Sequence, residues 1–256
     1  MPHDLESPDG DSRDWSVLYL ARGDDEVVAH RPVFTGDVFE GALVRPPRGD
    51  SEPKTVMVIQ HPCAMRPNGV DLAASLLVAE VVRYGALKPE KWSGSGKLMP
   101  LPGLRQEAPS GKKDFAALFD DTYHVHPEDL GKRIACLSPR GLNLLMQRWV
   151  YHSSRVVVPT FTYNDAVSWV YEEADIVEEW CDLATAAGRT IAEATTDAGA
   201  WLNEPMGEVS RRKMLEDPQR RSVIRKAARS AADSWRAPAA EAADPQADEV
   251  PPDLAN

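Results

Sequence analysis

The chain has 256 residues, 43% of them hydrophobic and 27% charged, with a formal net charge of −11. That length allows a sizeable core, or one domain with appendages. No run approaches the roughly 18 apolar residues of a membrane span, and the acidic start Met1-Pro-His-Asp-Leu-Glu lacks the basic and apolar regions of a secretory leader. Three widely spaced cysteines, Cys63, Cys136 and Cys181, form no CxxC and argue against a disulfide framework, so the expected compartment is the reducing cytoplasm.

The net charge hides a segregation. Residues 1–35 carry −5, residues 36–163 carry +3, residues 164–208 carry −10, residues 210–236 carry +6 and residues 237–256 carry −5. Overall acidity repels nucleic acid at long range, while a local basic face can still bind it. The acidic and basic blocks can also pair with each other, or with different partners.

In chain order, residues 1–13 are acidic and rich in Ser, Pro, Asp and Gly, which predicts a disordered N-terminus. Trp15 to Ala21 is apolar enough for a strand, Asp24-Asp25 signals a turn, and Glu26 to Pro32 can return. Asp37 to Val44 predicts the next strand, Arg45 to Pro53 a loop, and Thr55 to Gln60 a buried strand. Ser75 to Arg83 is a further apolar run whose β-branched end favours a strand. Residues 85–114 hold much Gly, Pro, Lys and Ser and read as one long loop. Phe115 to Phe119, an Asp120-Asp121 turn, Thr122 to His126 and Arg133 to Leu137 continue the short strands. Ser138-Pro139 reads as a helix cap followed by proline at the first helical position, with Leu142, Leu145, Met146 and Trp149 on the buried face of a helix ending near Tyr151. Arg155 to Pro159 closes the strand-rich region, which spans residues 14–160.

After Phe161 the period changes. Val167, Val170, Ala174, Val177, Cys181 and Ala184 recur at steps of three and four, predicting one helix with a single apolar stripe and an acidic remainder. Gly188 ends or bends it, and a second piece runs to Asn203. A basic helix follows Asp217-Pro218, completing a helical region over 161–236, and residues 237–256 have too few apolar side chains to pack. That basic helix fits either a nucleic-acid backbone or the acidic helix before it.

Four constellations could carry chemistry. His61 and Cys63 stand two apart across Pro62: a nearby imidazolium lowers a thiol pKa and makes a nucleophile, or the cysteine simply anchors a strand end. His124 and His126 share one face of a strand and with Cys63 or Cys136 could reach zinc, but nothing else has ligand spacing; two surface histidines fit as well, and no metal or other cofactor is expected. Arg45, Arg48, Arg66 and Arg83 fall near strand ends, where converging guanidinium forks would suit phosphate or carboxylate. The carboxylates of 172–182 sit at helical spacing, as a metal-binding, acid–base or solvated face would. No P-loop, dinucleotide fingerprint, HExxH or Gly-x-Ser-x-Gly occurs.

The order Gly36-Asp37-Val38-Phe39, the loop Arg45 to Pro53, the strand Thr55 to Gln60 with its polar turn, the strand Leu76 to Arg83, and the closing strand and helix of Arg133 to Arg155 resemble the MazF/PemK-type small barrel over residues 34–158. The resemblance implies an SH3-like fold and RNA cleavage supported by an arginine after the first strand, a role open to Arg45 or Arg48. It also implies a hydroxyl at a later position, which here falls at Val82-Arg83. The expectation is therefore an α+β chain: a small SH3-like β-barrel with an inserted long loop, then an α-helical C-terminal region. The expected function is a non-enzymatic or degenerate barrel acting as a protein-interaction module in a toxin–antitoxin or defence setting. The alternative is a metal-independent endoribonuclease or nucleic-acid-binding toxin. In that case His61, Arg45 and Arg66 would be catalytic, and Arg48, Arg83, Gln60 and Cys63 would bind.

Overall fold

The computed structural model describes residues 4–8, 15–23, 31–85, 89–105 and 113–233. Its strands are β1 (Tyr19–Arg22), β2 (Val38–Val44), β3 (Glu52–Val58), β4 (Leu76–Gly85), β5 (Leu98–Leu101), β6 (Lys113–Val125), β7 (Lys132–Leu137), β8 (Pro205–Met206) and β9 (Val209–Ser210). Its helices are α1 (Pro62–Met65), α2 (Pro139–Ser154), α3 (Thr160–Ala186), α4 (Ile191–Asn203), α5 (Arg211–Met214) and α6 (Arg221–Asp233). The α+β class holds.

The barrel does not. Seven antiparallel strands form one open sheet in the order β1-β7-β2-β3-β4-β6-β5, so among the described residues β1 and β5 are its edges. The sheet is strongly curled: register shifts interrupt β2 after Val38 and again after Phe39, and β4 after Ala79, and β2 touches β6 although two strands lie between them. Bulges bend strands and sharpen their twist. Here they wrap the sheet around a second core without closing it.

That curl explains the uninterrupted apolar run of β3. Met57 and Ile59 point into the main core with Val38, Ala79, Val81, Met99, Leu101, Phe119 and the α2 residues Leu142, Leu144 and Leu145. Val56 and Val58 point the other way, into a smaller core with Phe39, Val44, Met65, Leu76, Val78, Val125 and Leu130. A strand covered on both faces has no polar alternation to show.

Several sequence expectations are corrected. Residues 4–8 are packed, with Leu5 only 4% exposed, and Glu6 is held between α2 and the start of α3. Its carboxylate accepts from the Thr160 amide at 2.7 Å, the Thr160 hydroxyl at 2.6 Å and Gln147 at 3.2 Å, and faces Arg140 at 3.4 Å. The inserted loop of 85–114 carries a 3-10 turn, Pro89–Gly94, and the edge strand β5. Trp92 in that turn is fully buried, 5.0 Å beneath the Arg148 guanidinium. Asp120-Asp121 lies inside β6, where the register against β4 jumps from Thr122 to Leu118, so the turn signal marks a bulge. Arg155 to Pro159 is no strand: Arg155 takes φ 60°, ends α2 and redirects the chain into α3. The return strand of Glu26 to Pro32 lies mostly outside the described residues, as does the tail of 237–256.

The helical region forms a second apolar layer. Ile176, Trp180, Cys181 and Ala184 of α3 pack with Ala194, Ala198 and Leu202 of α4 and with Ile224 and Ala228 of α6. Thr190 caps α4 through a capping box with Glu193, which satisfies two amide donors at once. The basic helix α6 docks on the acidic face of α3. Arg221 donates to Ser168 at 3.0 Å, Arg225 meets Glu172 at 2.7 Å and Asp175 at 3.5 Å, and Arg229 meets Glu179 at 2.6 Å. Both series climb their helices together, so α6 runs parallel to α3. Of the two sequence readings of the basic helix, pairing with the acidic helix is the one seen. Among the described residues no helix is long and apolar enough to cross a membrane.

Candidate ligand-binding site

The long helix α3 belongs to both layers: Val170 packs in the main core, Ile176 in the helical one, and Trp169 touches each. Where the layers diverge, a cavity of about 150 Å³ opens. One wall is the α3 face Trp169, Val170, Glu173, Ala174 and Val177. A second is Thr195 and Gly199 of α4, a third is the turn from Pro62 to Gly69, and a fourth is Arg31 with Phe34.

The turn is built by local hydrogen bonding. His61 Nδ1 accepts the Cys63 amide at 3.2 Å and caps α1. Gln60 is a latch: its amide donates to Ala64 O at 2.7 Å while its Oε1 accepts the Leu77 amide at 2.9 Å. Asn68 Oδ1 accepts from the amides of Val70 and Asp71. Gly69, at φ +75°, closes the turn against Arg212, whose Nη1 would lie 2.2 Å from any Cβ there. Gly199 lets α4 approach the same backbone, since a Cβ would stand 3.0 Å from Val70 Cα.

Three arginines furnish the cavity. Arg212 is committed: its Nε meets both Glu173 oxygens at 3.1 and 3.0 Å, its Nη2 donates to Gly69 O at 2.5 Å, and its Nη1 donates to Asn203. Arg31, 8% exposed, sits 5.2 Å over the Phe34 ring and 3.8 Å from Glu178. Arg66 donates both terminal nitrogens to Val33 O at 3.3 Å and has no carboxylate within ion-pair distance among the described residues. Arg31 Nη1 and Arg66 Nε are buried without a hydrogen-bond partner among the described residues. Burial pulls the Arg66 pKa down, and the Glu173 charge pulls it back.

The sequence-named residues divide. Cys63 and Arg66 line the cavity. His61 and Gln60 shape the turn and do not line it. Arg45 and Arg48 are exposed in the β2–β3 hairpin, and Arg83 is exposed near the end of β4. β3 separates this group from His61 by about 20 Å, seven residues at roughly 3.3 Å each. The predicted convergence of four arginines therefore does not occur. No hydrogen bond joins the Cys63 thiol to His61. Burial and the Glu173 charge push that thiol up, and burial pulls the His61 ring down, the reverse of a thiolate–imidazolium pair. His124 meets Ser75 and His126 meets Ala74 O, and no third ligand joins them among the described residues.

Arg31, Trp169, Gly199 and Arg212 escaped sequence reasoning as a site, and Glu173 entered it only within the 172–182 carboxylate face. The stripe Val170, Ala174, Val177 was visible, but an apolar helix face reads the same whether it meets a core or a cavity. No protein-family model matches the chain, and no curated protein matches it.

Proposed function

We propose that this chain is a non-enzymatic binding module whose ligand site is the cleft between the curled sheet and the helical layer. The observation that carries this reading is the half-buried Arg66 guanidinium, with no carboxylate at ion-pair distance among the described residues, in a cavity whose apolar wall is Phe34, Trp169, Val170 and Val177. A concave apolar site with a few convergent polar groups is the usual form of a small-molecule site. The cavity's volume compares with that of apolar cavities of about 150 Å³ that take up benzene.

The pKa directions support binding over catalysis. A nucleophile needs its thiol lowered and a base free to take its proton; Cys63 is raised, and His61 spends Nδ1 on the α1 cap. The endoribonuclease alternative needs Arg45 or Arg48 beside His61, and the length of β3 counts against it. Kinship with MazF/PemK-type proteins, and a toxin–antitoxin or defence setting with a protein partner, belong to the proposal through the order of parts alone.

A small-molecule thermal-shift screen on the full chain tests the reading, with Val177→Trp as a variant that fills the cleft. Compounds that stabilise the native chain are expected to lose their effect in Val177→Trp. Hits indifferent to that change, or RNA cleavage abolished by His61→Ala, would overturn it.

A further inference from the structure

The cleft's polar wall is not neutral. Of its lining residues, Arg31, Arg66 and Arg212 are cationic and Glu173 alone is anionic. Arg212 already neutralises Glu173 through two short contacts, and Arg31 faces Glu178 only at 3.8 Å. Arg66, half-buried, has a single carbonyl as hydrogen-bond acceptor and no carboxylate within ion-pair distance among the described residues, the Glu173 charge acting on it only at longer range. A charge partly withdrawn from water without a close counter-charge is costly, and this one stands in the cavity wall. Arg31 and Arg66 both line the cavity, each has one side-chain nitrogen (Arg31 Nη1, Arg66 Nε) with no acceptor among the described residues, and Arg31 is more than nine-tenths buried. Planar guanidinium donors match the oxygens of a carboxylate or phosphate.

The remaining wall selects for something other than a bare ion. Phe34, Trp169, Val170, Ala174 and Val177 supply most of it, and hydrated inorganic phosphate gains nothing from such surface. Resting on the binding-module reading above, we infer that the cleft takes a small amphipathic organic anion. Its carboxylate or phosphate head sits on Arg66 and Arg31, and a flat apolar body of about ring size lies against Trp169 and Val177. Cys63 stands at the mouth, exposed and in the cavity lining, so an occupant shields its thiol. Cys136 and Cys181 are buried, which leaves Cys63 as the accessible reporter among the three.

The test uses the full chain and three probes: benzoate, phenyl phosphate and the neutral isostere benzamide. Maleimide labelling of Cys63 and the thermal midpoint are read together. Benzoate and phenyl phosphate are expected to slow labelling and raise the midpoint, while benzamide does neither. Arg66→Gln should weaken benzoate about 10- to 100-fold, the range expected for losing a charge-assisted hydrogen bond in a buried site. Arg66→Lys should recover part of that loss. Should Arg66→Gln fail to fold, Arg31→Gln and the wild-type contrast of benzoate with benzamide still decide the matter. Equal protection by benzamide, with no effect of either arginine variant, would overturn the anion and leave the cleft standing as a neutral-ligand site. No protection by any of the three probes would also overturn the anion; the cleft itself then stands or falls on the Val177→Trp screen.

Discussion

Arginines stand at both ends of β3, in opposite environments. At the hairpin end, Arg45, Arg48 and Arg83 are exposed and make no hydrogen bond or ion pair with described residues. At the turn end, Arg31, Arg66 and Arg212 are wholly or largely buried, each held by backbone carbonyls, carboxylates or an aromatic face. The side chain is the same; what differs is what covers it. The hairpin projects from the sheet, whereas the turn lies under α3 and α4. A guanidinium in water costs nothing to keep and contributes little, while one beneath two helices must be matched or must await an anion. Density of arginine in sequence therefore said nothing about where charge has consequences.

The largest expected effect falls on the clamp between the turn and the helices. Arg212→Ala leaves Glu173 partly buried without its partner, at side-chain exposures of 17% and 18% for the pair. It should cost about 3 kcal/mol, as broken buried ion pairs do, read as a lower urea midpoint. A loss no greater than that of an exposed arginine would mean the turn and helical layer are not joined through this contact.

Next comes the backbone beneath that clamp. Gly69→Ala must hold φ +75° with a Cβ against the Arg212 guanidinium. A strained left-handed residue and a displaced side chain together should cost about 1–2 kcal/mol. In the Arg212→Ala background the side-chain part vanishes, so the two changes should be less than additive, as double-mutant analysis would show.

How much of this was legible follows from what each signal depends on. β2, β3, β4 and β7 were readable because apolar side chains meet their cores directly through the strand period. Ser138 announced α2, and its side chain does accept the Gly141 amide. β5 was missed because Leu98 to Leu101 are buried in an edge strand flanked by Gly, Pro and Lys, where composition says loop. Residues 4–8 were missed because Glu6 is an ordinary acidic residue until Thr160 and Gln147 close on it, contacts spanning over 140 positions. The cleft was only half legible. Cys63 and Arg66 belong to one local motif, but Arg31 meets it from the irregular segment before β2 and Glu173 and Arg212 through helix packing, and no local period records that.

A smaller effect is set by pH. His61 must be neutral at Nδ1 to accept the Cys63 amide, and burial lowers its pKa from the ordinary 6.5. The unfolded chain then binds the proton first as pH falls. Stability is complete above 6.5 and is lost as pH drops toward the folded value. His61→Asn keeps a cap acceptor without a proton to gain, so the difference in thermal midpoint between wild type and variant should shift on acidification through 6.5. Glu6 works in a separate window. Burial raises its carboxyl, but the Thr160 amide and hydroxyl, Arg140 and Gln147 outweigh it and hold the pKa below 4.5. Its contribution persists above 4.5 and disappears below, and Glu6→Gln should remove that second phase alone.

The smallest expected effect tests the hairpin end directly. Arg45, Arg48 and Arg83 changed together to alanine should move stability by less than about 0.5 kcal/mol per site, because each is exposed and none is paired among the described residues. Maleimide labelling of Cys63, a strand's length away, should keep its rate. The same variant also probes the nucleic-acid alternative. Three exposed cations at one end of a sheet are what a phosphate backbone would use, and their loss would flatten the salt dependence of any RNA binding by the native chain. A triple variant that loses RNA binding while Cys63 labelling is unchanged would assign the two ends to different ligands. A variant that changes Cys63 labelling instead would mean that the curled sheet couples its ends, and the contrast between free and buried arginines would no longer separate two sites.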